Sequence, residues 1–185
     1  SKIRQLQSKN GQAYPDYEKY ICTINHLKDW IKMNAKIEIR EVGKIEFAYV
    51  QVIGVQQVAQ GFDKLLKWAV PMGLMEEQRK MITVYHDSFK VTSPDKVRMS
   101  TGVVLADAVE VSDGISISSV GPGRFIVGSY EIGHEEFEKA WTGLFIWMNE
   151  KGYRKTDTNP FEIYHNNFEE HPQRKAIVDF YISVR

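Results

Sequence analysis

The chain has 185 residues, of which 43% are hydrophobic and 12% aromatic. This is enough for one well-buried domain or two small ones, and it excludes a disordered chain. Its 24 basic and 24 acidic side chains balance, so no net charge attracts it to nucleic acid or to an anionic membrane. Cys22 is the only cysteine, which excludes an internal disulfide and a cysteine metal site. No apolar run approaches the roughly 20 residues of a membrane span, and we expect a cytoplasmic protein without metal or cofactor.

Residues 1–35 are predicted to be a linker or connector. The first ten residues are polar and have little apolar periodicity. From Tyr17 to Asn34, apolar residues recur mostly at spacings of three and four, which predicts a helix. The β-branched residues around Ile21 leave a short strand as the alternative.

Four strands and one helix are predicted between residues 36 and 106. The first strand alternates apolar and charged residues, the pattern of a half-buried strand, and Gly43 makes the turn that follows it. The helix has an apolar stripe and ends before Pro71 and Gly73. The predicted elements are strand 36–40, strand 45–53, helix 55–69, strand 81–86 and strand 97–106.

The same order recurs between residues 114 and 185. Tyr85, His86 and Phe89 match Tyr164, His165 and Phe168 at an offset of 79, and many other landmarks follow in one order at offsets of 78 or 79. So many ordered matches indicate an internal duplication. The predicted elements of this second unit are strand 114–120, strand 124–132, helix 134–151, strand 161–165 and strand 176–184, with a Gly-Pro-Gly turn at 121–123.

The pattern predicts an α+β fold. Two duplicated strand-strand-helix-strand-strand units form a concave antiparallel sheet of about eight strands, with two helices on one face. The opposite face is expected to form a groove along the approximate twofold axis, where a ligand would bind.

The strand at 161–164 carries the candidate functional residues. Alternation sends its two apolar residues to one face and Glu162 and Tyr164 to the other. If the apolar residues pack on the helices, Glu162 and Tyr164 point into the groove. The matching strand of the first unit offers Tyr85 and Thr83, so the tyrosines form a symmetric pair and Glu162 faces a threonine.

A single carboxylate among aromatic rings is suited to a lipophilic cation, because the rings add cation–π attraction to its charge. The alternative is that Glu162 is an ordinary solvent-exposed strand residue. Trp68 and Trp147 occupy equivalent helix positions, where they either pack in the core or border the groove. His86 and His165 favour turns over a metal site, because no third ligand has suitable spacing.

Three segments resemble the GyrI-like effector-binding domain found in AraC-family and multidrug regulators. They are Phe47–Gly54, the helix region from Gly133 to Tyr153 and, above all, Pro160–Tyr164. The resemblance covers residues 36–185 and implies a central small-molecule pocket in which Glu162 meets cationic aromatic ligands. It also implies that 1–35 connects to an AraC-type helix-turn-helix region, and the polar start without methionine favours a truncated chain.

The leading interpretation is therefore the effector-binding domain of an AraC-family regulator. It would contact DNA only through the missing region, bind no membrane, and allow a homodimer. One alternative implied by the resemblance is a hydrolase of strained electrophiles with Glu162 as general base. Another is a module that sequesters a protein such as DNA gyrase. The expected ligand contacts are Glu162, Tyr164, Tyr85, Thr83, Trp147 and Trp68.

Overall fold

The computed structural model describes residues 15–76, 79–112 and 114–185. Within them the chain forms three helices, α1 (Pro15–Asn34), α2 (Val58–Ala69) and α3 (Phe137–Glu150). The strands are β1 (Ala35–Val42), β2 (Ile45–Ile53), β3 (Met81–Tyr85), β4 (Arg98–Val104), β5 (Ser116–Val120), β6 (Gly123–Ile132), β7 (Phe161–Tyr164) and β8 (Ala176–Ser183). Short 3-10 turns are Val55–Gln57, His134–Glu136 and Phe168–Glu170. Residues 1–14 of the predicted connector lie outside the described residues.

The duplicated order of elements is confirmed. Each unit runs strand, strand, helix, strand, strand, and the two helices begin 79 residues apart, at Val58 and Phe137. The apolar periodicity before residue 35 forms helix α1, so the alternative of a short strand around Ile21 is wrong. In the described part of the chain, no helix is long and apolar enough to cross a membrane.

All eight strands join one antiparallel sheet in the order β1-β6-β8-β7-β3-β4-β2-β5. The first strand of each unit pairs with the second strand of the other unit, β1 with β6 and β5 with β2. The turns at Gly43 and Gly121 therefore do not close hairpins. At the centre β3 pairs with β7, and Thr83 lies opposite Glu162. The approximate twofold axis thus passes through the middle of the sheet.

The sheet is strongly curved. Strands β1 and β2 occupy the first and the seventh positions in the sheet, yet only two residues join them. Val42 ends β1 and Ile45 begins β2, and consecutive Cα atoms are about 3.8 Å apart. The two crossing segments meet where a Cβ atom on Gly121 would lie 2.6 Å from the carbonyl oxygen of Gly43. They close over an apolar cluster on the concave face that includes Phe47, Ile82, Val84, Val120, Phe125, Phe161, Ile163 and Tyr181.

The helices cover the other, convex face, as predicted. Helix α2 packs on β2 and β4, and α3 packs on β6, each above its own apolar cluster. Helix α1 crosses α3 at Gly143, where a Cβ atom would lie only 2.4 Å from Ile31 Cγ1. The prediction of a groove on the face opposite the helices is wrong, because aromatic and branched side chains fill that face.

The substitution Gly121→Ala is expected to destabilise the crossing of the two units. Gly121 has a φ of 74°, and its new Cβ would be 2.6 Å from the Gly43 carbonyl oxygen. We expect the free energy of unfolding to fall by about 1–3 kcal/mol in denaturant titrations. The matched control is Gly123→Ala, whose Cβ would meet only Phe125 at 3.5 Å and should change stability by about 0.5 kcal/mol at most. Equal losses in both variants would contradict this account.

Candidate functional site

Glu162 lies at the centre of the sheet, beneath the helices, and its side chain is 0% exposed. Its neighbours Phe161 and Ile163 point to the concave face and join the apolar cluster there. The expectation that these two residues pack on the helices is therefore wrong, and Glu162 and Tyr164 lie on the helix side instead. The interpretation of Glu162 as a solvent-exposed residue is also wrong, because this strand is covered on both faces.

Three side-chain donors hold the carboxylate of Glu162. The hydroxyl of Tyr85 and the indole Nε1 of Trp141 donate to Oε1, the latter at 3.3 Å, and the hydroxyl of Tyr164 donates to Oε2 at 2.8 Å. The Tyr164 hydroxyl also lies 3.0 Å from Thr83 Oγ1. Because the single Tyr164 proton goes to the carboxylate, Thr83 is the donor in that contact.

Burial raises the pKa of Glu162, and the hydrogen bonds from Tyr85, Tyr164 and Trp141 oppose only part of this effect. Burial, together with the adjacent carboxylate, raises the pKa values of Tyr85 and Tyr164 well above the usual value. The two phenols therefore remain protonated donors. Among the described residues, none of the groups that hydrogen-bond to Glu162 is cationic. The site thus combines a buried acid with the absence of a matching positive charge, an arrangement that favours a bound cation.

Aromatic rings from both units surround the carboxylate. Trp141 of α3 contacts Tyr85, with 5.9 Å between ring centroids, and Phe62 of α2 contacts Tyr164 at 6.3 Å. Each tyrosine therefore meets the helix of the other unit, and all four rings are half-buried in the seam between α2 and α3. Further rings extend this wall: Phe89, Phe137 and Phe180.

The structure brings four of the six predicted contact residues together, namely Glu162, Tyr164, Tyr85 and Thr83. Trp147 instead stacks on Tyr153 at 6.2 Å. Trp68 packs on the apolar cluster under α2 and lines a separate surface groove. Neither tryptophan makes a described hydrogen bond to Glu162, and their role as ligand contacts stays a prediction.

Sequence reasoning left Trp141 and Phe62 out of the expected contacts. A usable signal was present, because the two residues are 79 positions apart and are therefore equivalent aromatics of the two unit helices. Trp141 precedes Trp147 by six residues, which is roughly 240° around a helix. The two tryptophans of α3 therefore point to different sides, and only the first reaches the centre of the sheet.

The two histidines at the strand ends make polar pairs. His86 lies 2.7 Å from Ser100 Oγ and 3.0 Å from Asn159, and His165 lies 2.8 Å from Asp179. Burial lowers the pKa of His86. These contacts anchor the ends of β3 and β7 to neighbouring segments.

Residues 35–185 match the family described as the GyrI-like small molecule binding domain. The DNA gyrase inhibitor of Escherichia coli strain K12 is 25% identical over 136 residues, which is 70% of this chain and 85% of the inhibitor. Similarity at this level leaves the inhibitor a distant relative.

Solved structures share the fold at low sequence identity. The EcmrR C-terminal domain has a TM-score of 0.65 at 13% identity and covers 82% of this chain and 98% of its own. An EcmrR–DNA complex has a TM-score of 0.65 at 12% identity and covers 99% of this chain and 76% of its own. A hydrolase from Listeria innocua has a TM-score of 0.58 at 13% identity, and the similarity covers 81% of this chain and 92% of the hydrolase. SAV2435 bound to tetraphenylphosphonium has a TM-score of 0.55 at 8% identity, and the similarity covers 81% of this chain and 94% of SAV2435.

Replacing Glu162 with glutamine is expected to stabilise the protein at neutral pH. Because the pKa of Glu162 is raised in the folded protein, the folded state binds the proton of this carboxyl more tightly than the unfolded state does. Wild type therefore loses stability as pH rises from the ordinary glutamate pKa of about 4.3 through the raised folded value. The neutral amide can accept from Tyr85 and Trp141 and donate to Tyr164, so Glu162→Gln avoids this loss. We expect a gain of roughly 0.5–2 kcal/mol at about pH 8 in urea titrations.

The gain should disappear near pH 4, where wild-type Glu162 is protonated in both states. The exposed Glu138 on α3 provides the control for removing an acidic charge outside the site, and Glu138→Gln should not reproduce the gain at about pH 8. A glutamine variant at position 162 that is less stable than wild type at pH 8 would contradict the account.

Proposed function

This chain belongs to the family of GyrI-like small molecule binding domains, and we propose that its ligand is a lipophilic organic cation bound at Glu162. The observation that carries the proposal is a fully buried carboxylate whose described hydrogen-bond partners are all neutral. A positive charge beside Glu162 would offset the cost of burying it. The faces of the surrounding rings would attract the same charge, each contributing about 0.5–2 kcal/mol.

The seam between α2 and α3 is the proposed route to the carboxylate. The rings of Tyr85 and Trp141 lie half-buried in this seam and donate hydrogen bonds to the carboxylate, so a ligand that enters here would displace one of them. The indole hydrogen bond of Trp141 to the carboxylate, at 3.3 Å, is longer than that of the Tyr164 hydroxyl, at 2.8 Å. A ligand that displaces this indole would reach Oε1 while Tyr164 still holds Oε2.

This proposal is supported by the structure of SAV2435, which shares the fold and is bound to tetraphenylphosphonium, itself a lipophilic cation. We propose further that the chain is the effector-binding part of a cytoplasmic transcription regulator of the AraC type. The EcmrR–DNA complex supports a regulator, because its similarity extends over 99% of this chain and so includes α1. Helix α1 would then connect the ligand site to a DNA-binding region. A helix-turn-helix pair encoded directly upstream of Ser1 would support this, and an unrelated upstream sequence would oppose it.

Calorimetry with tetraphenylphosphonium tests the role of Glu162. We expect Glu162→Gln to weaken binding by at least about tenfold, or about 1.4 kcal/mol, because the variant lacks the negative charge that attracts the phosphonium. A neutral molecule of similar size, triphenylphosphine oxide, should bind wild type and variant alike. Glu138→Gln is again the matched control. Equal affinity of wild type and Glu162→Gln for the cation would overturn the proposal.

A hydrolase is the second candidate, favoured by one observation in the site. Glu162 has a raised pKa and lies within hydrogen-bonding distance of Tyr85 and Tyr164, which suits a general base with nearby donors. A structural neighbour is also named a hydrolase. Incubation with a strained epoxide distinguishes the two. Turnover that is lost in Glu162→Gln favours the enzyme, whereas saturable binding without product favours the sensor.

The name of the curated relatives, DNA gyrase inhibitor, supports a third candidate in which the chain binds gyrase. A supercoiling assay with purified gyrase tests it. Inhibition that persists in Glu162→Gln would favour a protein contact separate from the ligand site.

A further inference from the structure

A groove of about 580 Å³ lies on the first unit, away from Glu162. The C-terminal half of α2, with Lys64, Lys67 and Trp68, and the turn after it, with Met72, form one wall, and the segment before β5 forms the other, with Val111. Met72 is 47% exposed and Val111 38%. The floor is therefore apolar and open, and two lysines stand on its rim.

The duplication indicates what kind of element covers such a surface. The counterpart of Lys64 on α3 is Gly143, 79 residues later, and there helix α1 lies across the face. Ile31 of α1 fills the space over Gly143, and Lys28 pairs with Glu150, which is the counterpart of Pro71. In the second unit, a helix thus covers the surface that remains a groove in the first.

Among the described residues of the first unit, no helix lies in that place. The segment from residue 105 to residue 112 precedes β5 as α1 precedes β1, but it has no helical turn. A helix with its side chains is about 10 Å wide, and this irregular segment does not fill that width, because a groove stays open beside Trp68.

The charged side chains that line the groove indicate which kind of partner would bind there. Lys64 and Lys67 replace Gly143 and Ile146 of the second unit, while Glu110 is the acidic side chain of the lining. Lys67 pairs with Asp63 at 3.2 Å, but both side chains are more than two-thirds exposed (77% and 69%), so water screens that pair. The lining therefore carries two cations and one acid, while Asp63 lies outside the lining, and this balance favours an acidic partner.

We propose that this groove docks an acidic amphipathic helix of a partner protein. Apolar side chains of that helix would rest on Trp68 and Met72, as Ile31 rests on α3, and its carboxylates would pair with Lys64 and Lys67. The surface is separate from the cation site, so the proposal stands independently of Glu162.

Two stapled fourteen-residue peptides provide the probe. Both carry leucines on one helical face, and the remaining positions are glutamate in one peptide and lysine in the other. Fluorescence anisotropy is expected to show the acidic peptide binding at least about tenfold more tightly than the basic one. Lys64→Glu combined with Lys67→Glu should reverse this preference. Lys151→Glu, a charge reversal beside Trp147 on the second unit, should leave it unchanged, as should Glu162→Gln.

Hydrogen exchange should then show protection of residues 64–72 by the acidic peptide. Absence of binding, equal binding of the two peptides, or acidic binding that survives the double charge reversal would each overturn the proposal. Concentration-dependent dimers that the double reversal abolishes would assign the groove to self-association and would also overturn it.

Discussion

The buried carboxylate of Glu162, which has no positive partner among the described residues, is the constraint on which the centre of this protein depends. Removing such a group from water is costly, and neutral hydrogen bonds recover only part of the cost. Three donors converge on it, from β3, β7 and α3. The hydrogen bonds to Glu162 therefore hold the side chains of the site in place, whereas the burial of its charge lowers the stability of the folded protein. A bound cation would relieve that cost, which is the physical basis of the proposed recognition of charge.

The duplication gives this acid its surroundings. Two similar units supply two tyrosines and two helix aromatics, and each tyrosine packs on the helix of the other unit. The site therefore exists only where both units meet. At the axis, Thr83 faces Glu162, so the buried acid comes from a position where the two copies differ. A second difference, lysines in place of Gly143 and Ile146, marks the groove beside α2.

The sequence predicted the order of the elements and that Tyr85, Tyr164, Thr83 and Glu162 lie close together. It did so because repeats and alternation are local properties of the chain. It could not predict which face of the sheet the helices cover, since Phe161, Glu162 and Ile163 are all buried and their polarity does not distinguish the faces. The exchange of first strands between units depends on the crossing at Gly43 and Gly121, a contact between residues 78 positions apart. The contribution of Trp141 depended on the direction of its side chain from α3, which the helical stripe alone did not assign.

The pH dependence of cation binding tests the central claim most directly. Tetraphenylphosphonium has a fixed charge, so only the protein titrates between about pH 4 and about pH 8. With Glu162 as the recognising group, its affinity should rise with pH as the raised pKa is passed, and binding at low pH should release a proton into the buffer. In Glu162→Gln the affinity should be lower and independent of pH. A wild-type affinity that stays constant over this range, with no proton released, would contradict the account.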